Sequence, residues 1–364
     1  MSLFEVLDED GDARRGRLST AHGVVETPAF MPVATKASVK TLSSCELVEL
    51  GVDAIICNAF LLYLKPGVGV IKGCGGIHRF MNWRGTIFTD SGGFQMLRDN
   101  FFIDSGKKGI MFRSPFDNSR HLFTPEKCMS VQNQLGSDVA MTLDDLPPYG
   151  CCEDRIMDSI ARTIEWAKRC KESHENDSQL LFAIVQGGTN HRLRKICASK
   201  LVEIGFDGYG VGGLSIGEPP EMMLSAIERT NLPADGVRYL MGVGSPIEML
   251  EAIERGIDMF DSAFPTRNAR HNTVYTWRGK YNLSKGKYRD DFAPLEDGCK
   301  CYTCSHYTRA YVQHLLKVRE ALGMRLVTLH NLNFIQRLLW EVKHSIAEMR
   351  FQEFKERFIS EYRR

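Results

Sequence analysis

Apolar positions along the chain fall into short runs rich in β-branched and aromatic residues. Each run ends at or directly before a polar residue, glycine or proline and is followed by a loop or by apolar residues at helical spacing. Eight such runs are present: Thr27 to Thr35, Ala54 to Asn58, Thr86 to Asp90, Val139 to Asp144, Leu180 to Gln186, Gly208 to Leu214, Tyr239 to Val243 and Met259 to Phe264. Amphipathic helices are predicted between several of them, over Cys152 to Glu172, Asn190 to Ile204, Pro220 to Thr230 and Pro246 to Arg255. Strands alternating with helices imply a parallel sheet. Eight repeats in about 240 residues match the count and length of a (β/α)8 TIM barrel. Periodicity does not show closure, so an open doubly wound sheet satisfies the same pattern.

The residues that break the apolar pattern sit at or near the C-terminal ends of different strands: Asn58, Asp90, Asp144, Gln186, Gly213, Met241 and Asp261. In a barrel those ends converge on one mouth, where active sites of this fold lie. Each residue taken singly also fits a strand-end cap on the next helix. Two segments stand outside the repeat. Residues 99–127 are polar and aromatic and read as an insertion, with a hairpin between Gly109 to Arg113 and His121 to Thr124 across Asp117-Asn118. Residues 265–364 hold a basic stretch, a cysteine cluster and predicted helices over Tyr307 to Leu322 and Asn331 to Tyr362. No Pro/Gly/Ser-rich linker precedes them, so they read as a subdomain packed on a barrel formed by residues 1–264.

Composition narrows the class. With 43% hydrophobic and 25% charged residues, a sizeable core can form and a disordered or fibrous chain is excluded. Lys plus Arg at 46 nearly balances Asp plus Glu at 45, so any site for a polyanion must come from local clustering. The longest apolar stretch, Gly51 to Leu64, is interrupted by Asp53 and Asn58 and is too short to span a bilayer. The acidic first eighteen residues resemble neither a signal nor a transit peptide, which makes a cytoplasmic location the expectation.

Of eleven cysteines, only Cys299, Cys301 and Cys304 cluster, which points to reduced thiols plus one metal site. His330 follows after 25 intervening residues, near the predicted start of the last long helix. Three thiolates and one imidazole complete a tetrahedral shell of the kind zinc fills, closed to water and therefore structural. His306 is an alternative fourth ligand, although two residues after Cys304 it would strain to close the shell.

Between Pro265 and Arg289 lie Arg267, Arg270, Arg278, Lys280, Lys285, Lys287 and Arg289 with no acidic residue, interleaved with Tyr275, Trp277, Tyr281 and Tyr288. That combination suits RNA phosphates and unstacked bases. A solvated edge hairpin protected by its charges fits the same composition. The carboxylates of Asp90, before Ser91-Gly92-Gly93, and of Asp261, before Ser262-Ala263-Phe264-Pro265-Thr266-Arg267, suggest acid/base work or a nucleophile with an acid/base partner, as in glycosyl transfer.

These segments carry a family resemblance. Thr89-Asp90-Ser91-Gly92-Gly93-Phe94-Gln95, Val185-Gln186-Gly187-Gly188, Gly212-Gly213-Leu214-Ser215-Ile216-Gly217-Glu218, Tyr239-Leu240-Met241-Gly242-Val243-Gly244, Phe260-Asp261 with Pro265-Thr266-Arg267, and the Cys-x-Cys-x2-Cys-x25-His set resemble those of tRNA-guanine transglycosylases, in order and over essentially the whole chain. The resemblance implies exchange of guanine at the anticodon wobble position of tRNA for a 7-deazaguanine base. It implies Asp261 as nucleophile on the ribose and Asp90 as general acid/base. It implies Asp144, Gln186 and the Gly213 N–H as readers of the base edge, beside Ser91, with Phe94 and Met241 sandwiching the ring. Thr266, Arg267, Arg270, Arg278, Lys280, Lys285 and Lys287 would meet the RNA.

In the bacterial pattern the Leu214 carbonyl and Glu218 serve a 7-aminomethyl group, and Ile216 stands where queuine-using eukaryotic relatives have glycine. Both favour preQ1, 7-aminomethyl-7-deazaguanine, as the incoming base. The chain departs from the family at Asn58-Ala59-Phe60-Leu61, usually Asn-Thr-Tyr-His, and at Leu146, where many bacterial members have cysteine. Asp144-Asp145 fits the eukaryotic pattern as well as the bacterial one. The added C-terminal domains of the archaeosine branch are not in the sequence, which disfavours a 7-cyano substrate. Tyr307, Tyr311 and His314 resemble the aromatic patch of the bacterial homodimer; packing against the barrel of the same subunit fits their spacing too. The alternatives to a preQ1 enzyme are a queuine-inserting one and a non-catalytic tRNA-binding subunit. The latter is expected to have lost one of the aspartates.

Overall fold

The computed structural model describes residues 3–93 and 101–363. A three-stranded antiparallel sheet comes first, β1 (Phe4–Asp10), β2 (Ala13–Thr20) and β3 (Gly23–Thr27). The parallel strands follow: β4 (Ala29–Pro32), β5 (Ala54–Asn58) and β6 (Thr86–Asp90). An antiparallel insert intervenes, β7 (Phe102–Gly106), β8 (Gly109–Arg113) and β9 (Arg120–Phe123). Then come β10 (Val139–Met141), β11 (Leu180–Val185), β12 (Gly208–Val211), β13 (Val237–Leu240) and β14 (Met259–Ser262). A hairpin of β15 (Thr273–Thr276) and β16 (Gly279–Asn282) closes the series.

The eight parallel strands pair in the order β4-β14-β13-β12-β11-β10-β6-β5. A parallel bridge between Val33 and Ile56, with the Ala34 N–H donating to Ile56 O at 2.7 Å, joins the two ends. The sheet is therefore a closed (β/α)8 barrel, and the open-sheet alternative falls. Its interior is packed with Met31, Ile56, Phe88, Met141, Phe182, Ile184, Tyr239 and Met259, so ligand chemistry is confined to the mouth. All eight strands lie where the apolar runs predict them, and the four helices are found at Glu153–Glu172, His191–Ile204, Pro220–Glu228 and Pro246–Ile253.

The β1–β3 sheet plugs the opposite end, its Phe4, Leu18 and Val25 continuous with the barrel interior. The buried Arg14 guanidinium pins it by donating to both oxygens of Asp258 at 2.7 and 2.6 Å, just before β14. The sequence pattern predicts no element here, because charges along β1 and β2 hide the apolar alternation. In the insert the predicted hairpin is β8 and β9. β7 has no counterpart in the sequence pattern, since its exposed residues Phe102, Ile103 and Asp104 show no buried face.

The C-terminal helices differ from expectation. Arg309–Lys317 is a separate short helix, and Ala321–Ala347 is one helix that runs through the predicted loop at 323–330. A break at Glu348 to Arg350, with Met349 at φ 55°, then separates it from Phe351–Tyr362. His330 thus sits well inside the long helix, not near its start. Burial of Leu326, Val327, Leu329, Leu332, Phe334 and Ile335 holds that helix in place and overrides the weak local signal.

Candidate active site

Asp261, the penultimate residue of β14, lies at the C-terminal end of the strand, at the mouth. Its Oδ1 accepts from the Tyr239 hydroxyl at 2.5 Å and from the Gly242 N–H at 2.8 Å. Its Oδ2 accepts no hydrogen bond among the described residues. Burial raises the Asp261 pKa, and the two donors oppose that rise. Tyr239 is raised well above the usual phenol value, first by burial and then by the charges of Asp261 and Asp90, so both carboxylates act on one hydroxyl. Asp90, ending β6, accepts from Asn58 Nδ2 at 3.2 Å. Asn58 also receives the Leu61 N–H on Oδ1 at 2.7 Å, so one side chain caps the Ala59–Leu64 helix and orients the carboxylate.

Past β10, Asp144 is held on both oxygens by neutral donors: Gln186 Nε2 at 2.6 Å and, at the long distance of 3.4 Å, the Ser91 hydroxyl. Burial pushes its pKa up to about 6. Gln186 Oε1 is buried and has no hydrogen-bond partner among the described residues, an acceptor left for a ligand. Gly213 lies against it at φ 68°, and a Cβ there would come within 2.3 Å of Gln186 Oε1. Met241 follows β13 and is half-buried against the barrel interior. Asp145 turns the other way, onto Arg155 at 2.8 and 2.9 Å and Arg162 at 2.5 Å, which makes it structural. Beyond Leu214, Glu218 accepts the Ser215 and Ile216 N–H groups, the latter at 3.0 Å, which fixes the turn from Ser215 to Glu218. Phe94 lies outside the described residues.

Cys299, Cys301, Cys304 and His330 converge in a second centre. His330 Nδ1 lies 3.9, 3.5 and 3.3 Å from the three sulfurs, close to the sulfur-to-nitrogen edge of about 3.5 Å in a tetrahedral site of three sulfurs and one nitrogen. His330 Nε2 faces Tyr275 O at 2.7 Å, which fixes the proton there and leaves Nδ1 for a metal. His306 is exposed with its ring on Tyr302 O at 2.9 Å, and it is not a ligand candidate. The donor set fits a closed, structural metal ion.

Residues 8–364 match the sequence profile of the family described as Queuine tRNA-ribosyltransferase. The chain belongs to the queuine tRNA-ribosyltransferase family. Similar proteins of that name come from Caldanaerobacter subterraneus subsp. tengcongensis, 48% identical over 99% of this chain and 97% of the relative, and Fusobacterium nucleatum, 46% identical over 99% and 98%. Membership makes the chain a glycosyltransferase of the pentosyl-transferring kind, which accords with two strand-end carboxylates at one barrel mouth.

Phe60 is fully buried and packs edge-on against Phe112 at 4.3 Å, and the Cβ that Gly92 lacks would collide with it at 2.2 Å. It therefore forms the wall between the insert and the Asp90 loop. Leu146 lies beside Gly213.

The basic segment divides. Arg267, Arg278, Lys280, Lys285 and Lys287 are exposed, and Arg270 is half-buried. Thr266 is a correction: it is buried and its hydroxyl donates to Ala263 O at 3.1 Å, which removes it from the RNA-facing surface. The aromatic residues are a second correction. Tyr275 and Trp277 pack on Phe334 and Tyr281 on Tyr288, so they serve the core and offer no platform for bases.

Three further residues stand beside the candidate positions without being singled out by the sequence pattern. Tyr239 lies inside β13, two residues before Met241, which follows the strand. Lys36 and Lys40 are far in sequence from Arg267 and Arg270. Together these four cations crowd one rim, where Arg270 first, then burial, Lys36 and Arg267, lower the Lys40 pKa.

Proposed function

We propose that this enzyme exchanges guanine at the anticodon wobble position of tRNA for a 7-deazaguanine base through a covalent Asp261–ribose intermediate. The observation that carries it is the division of labour on Asp261: one oxygen is held by Tyr239 and Gly242, and the other is open at the mouth. Asp261 Oδ2 attacks the ribose C1′ as the bond to guanine N9 breaks, and the departing electron pair takes a proton from Asp90. The incoming base then returns its N9 proton to Asp90, attacks C1′ and expels the carboxylate. Two inversions retain the β configuration and split one displacement into two. Asp144, Gln186 and the Gly213 N–H read the base edge, Ser91 steadies Asp144, and Met241 covers one face of the ring. The anticodon loop is single-stranded, so extruding the base is inexpensive.

PreQ1 is the incoming base we favour. The Leu214 carbonyl and Glu218 form an acceptor pair for an aminomethyl cation, and Ile216 narrows the space a larger substituent needs. The exposed rim cations take the RNA backbone, and a cleft of about 470 Å³ lined by Phe264, Arg278, Lys280 and Arg363 gives the strand a path beside the mouth. Zinc held by the three cysteines and His330 would tie the Cys299–Cys304 segment to the long helix, and the His330 bond to the Tyr275 carbonyl links β15 to the same centre. A second copy of the chain docks on the ring ladder of Tyr307 and Tyr311, stacked at 5.4 Å, with His314 exposed beside it.

The test is incorporation of labelled guanine, preQ1 or queuine into tRNA by wild type and Asp261→Ala. Label should enter with wild type only, and denaturing gels should show an enzyme–tRNA adduct that Asp261→Ala never forms. Exchange by Asp261→Ala, or none by wild type that binds both zinc and tRNA, overturns the reading. Preference for queuine would remove the role given to Ile216.

A further inference from the structure

Behind the base-reading loops lies a charged side chain to which the chemistry above gives no part. Arg194, in the first turn of the His191–Ile204 helix, is fully buried, and among the described residues no carboxylate lies within ion-pair distance. Its Nη2 donates to Gly212 O at 2.8 Å and Val185 O at 3.2 Å, Nη1 to Gly188 O at 2.8 Å, and Nε to the Thr230 hydroxyl at 2.9 Å. Every partner is neutral, and the three carbonyls belong to the loops that carry Gln186 and Gly213. Gly187 permits this approach, since a Cβ there would fall within 2.9 Å of the Arg194 backbone and Cγ. Burial lowers the Arg194 pKa to about 10, which still leaves it charged at neutral pH.

An unpaired buried guanidinium is costly, and a neutral donor could tie the same loops. What the charge adds is polarisation. The carbonyl of Gly212 and the N–H of Gly213 belong to one peptide unit, so a cation on the oxygen makes the N–H a stronger donor. We propose that Arg194 is a positioning residue for base exchange, fixing and polarising the Gly212–Gly213 peptide so that its N–H meets the purine carbonyl oxygen as a strengthened donor. This rests on the base-exchange reading above. Negative charge grows on that oxygen as the base leaves C1′, so the strengthened bond acts on the reacting state more than on tRNA binding.

The test compares Arg194→Lys, Arg194→Met and Thr230→Val, the last loosening the guanidinium while keeping it. Guanine and 6-thioguanine, whose sulfur is a weak acceptor, are titrated as competitors of labelled-guanine exchange, with kcat and the tRNA KM measured for each variant. Arg194→Met should weaken guanine about tenfold or more and 6-thioguanine by no more than about threefold. Its kcat should fall by a similar factor at unchanged tRNA KM, with Arg194→Lys and Thr230→Val lying between it and wild type. Equal losses for the two bases, or a loss confined to tRNA KM, would show a merely structural tie and overturn the proposal. Should Arg194→Met not fold, the ratio of the two bases in Arg194→Lys and Thr230→Val decides by the same criterion. Failure of wild type to exchange guanine at all would instead sink the base-exchange reading, before any variant is compared.

Discussion

Asp144 shows how one buried carboxylate couples stability to function. Its pKa is pushed up to about 6 by burial, above the unfolded value, so the folded state holds the extra proton between about 4 and 6. Stability linked to this group is therefore lost as pH rises through that window, and the ionised form at neutral pH is held at a strain that a base with N–H donors would relieve. Exchange should show an acidic limb near pH 6, followed by a pH series of kcat/KM. Asp144→Asn should abolish guanine exchange yet raise the thermal midpoint at pH 8, a gain of about 1–3 kcal/mol by linkage. A variant as active as wild type would remove Asp144 from base recognition.

At the same scale, Tyr239→Phe deletes one of the two donors on Asp261 Oδ1 while keeping the ring packed. We expect kcat to fall about tenfold to hundredfold with little change in tRNA KM, and single-turnover kinetics would locate the loss in adduct formation. Asp144, Gln186, Gly213 and Asp261 were legible because each interrupts an apolar strand end. Arg194 was not, since an arginine in a helix reads as solvent-facing until the fold buries it.

Elements set which of these residues meet. The long helix Ala321–Ala347 carries His330 to the three cysteines, and the Tyr275 carbonyl beside it belongs to β15. Stripping the metal with a chelator at neutral pH should lower the thermal midpoint and unfold the segment from β15 to the long helix first, read by hydrogen exchange. Equal protection with and without metal would refute a structural role.

At the closed end of the barrel, Asp138 precedes β10 and accepts from His78 Nε2 at 3.0 Å, the Ile87 N–H at 2.7 Å and His22 Nδ1 at 2.7 Å. Burial alone would raise its pKa, but these donors outweigh it and hold it below the usual carboxylate value. Its contribution is complete above the unfolded value near 4 and is lost as pH falls through the lower folded one. Asp138→Asn should destabilise by about 2–3 kcal/mol at pH 7 and flatten the acid limb of a denaturation series. The cysteine spacing announced the metal centre, whereas this cluster joins three distant segments and left no local trace.

Over the whole molecule, charge is balanced, and the electrostatic footprint exists only where the fold gathers it. Lys36 and Lys40 come from the loop after β4, and Arg267 and Arg270 from the helix after β14, strands that are neighbours in the sheet. Replacing each by glutamine should weaken tRNA binding and reduce the slope of log K against log salt by about 0.7 per lost phosphate contact. Salt titrations of the four variants check this, and an unchanged slope would place the RNA elsewhere.

By itself the sequence determined the eight strands, most of their helices, the donor set of the metal centre and the residues offered at the strand ends. It could do so because hydrophobic period, turn residues and ligand spacing are local properties of the chain. Closure of the barrel, the sheet plugging its base, the inward turn of the aromatic residues in the basic segment, the four-cation rim and the buried Arg194 were decided by tertiary structure. Each of these depends on which distant segments share a surface, and burial, not local pattern, fixes that.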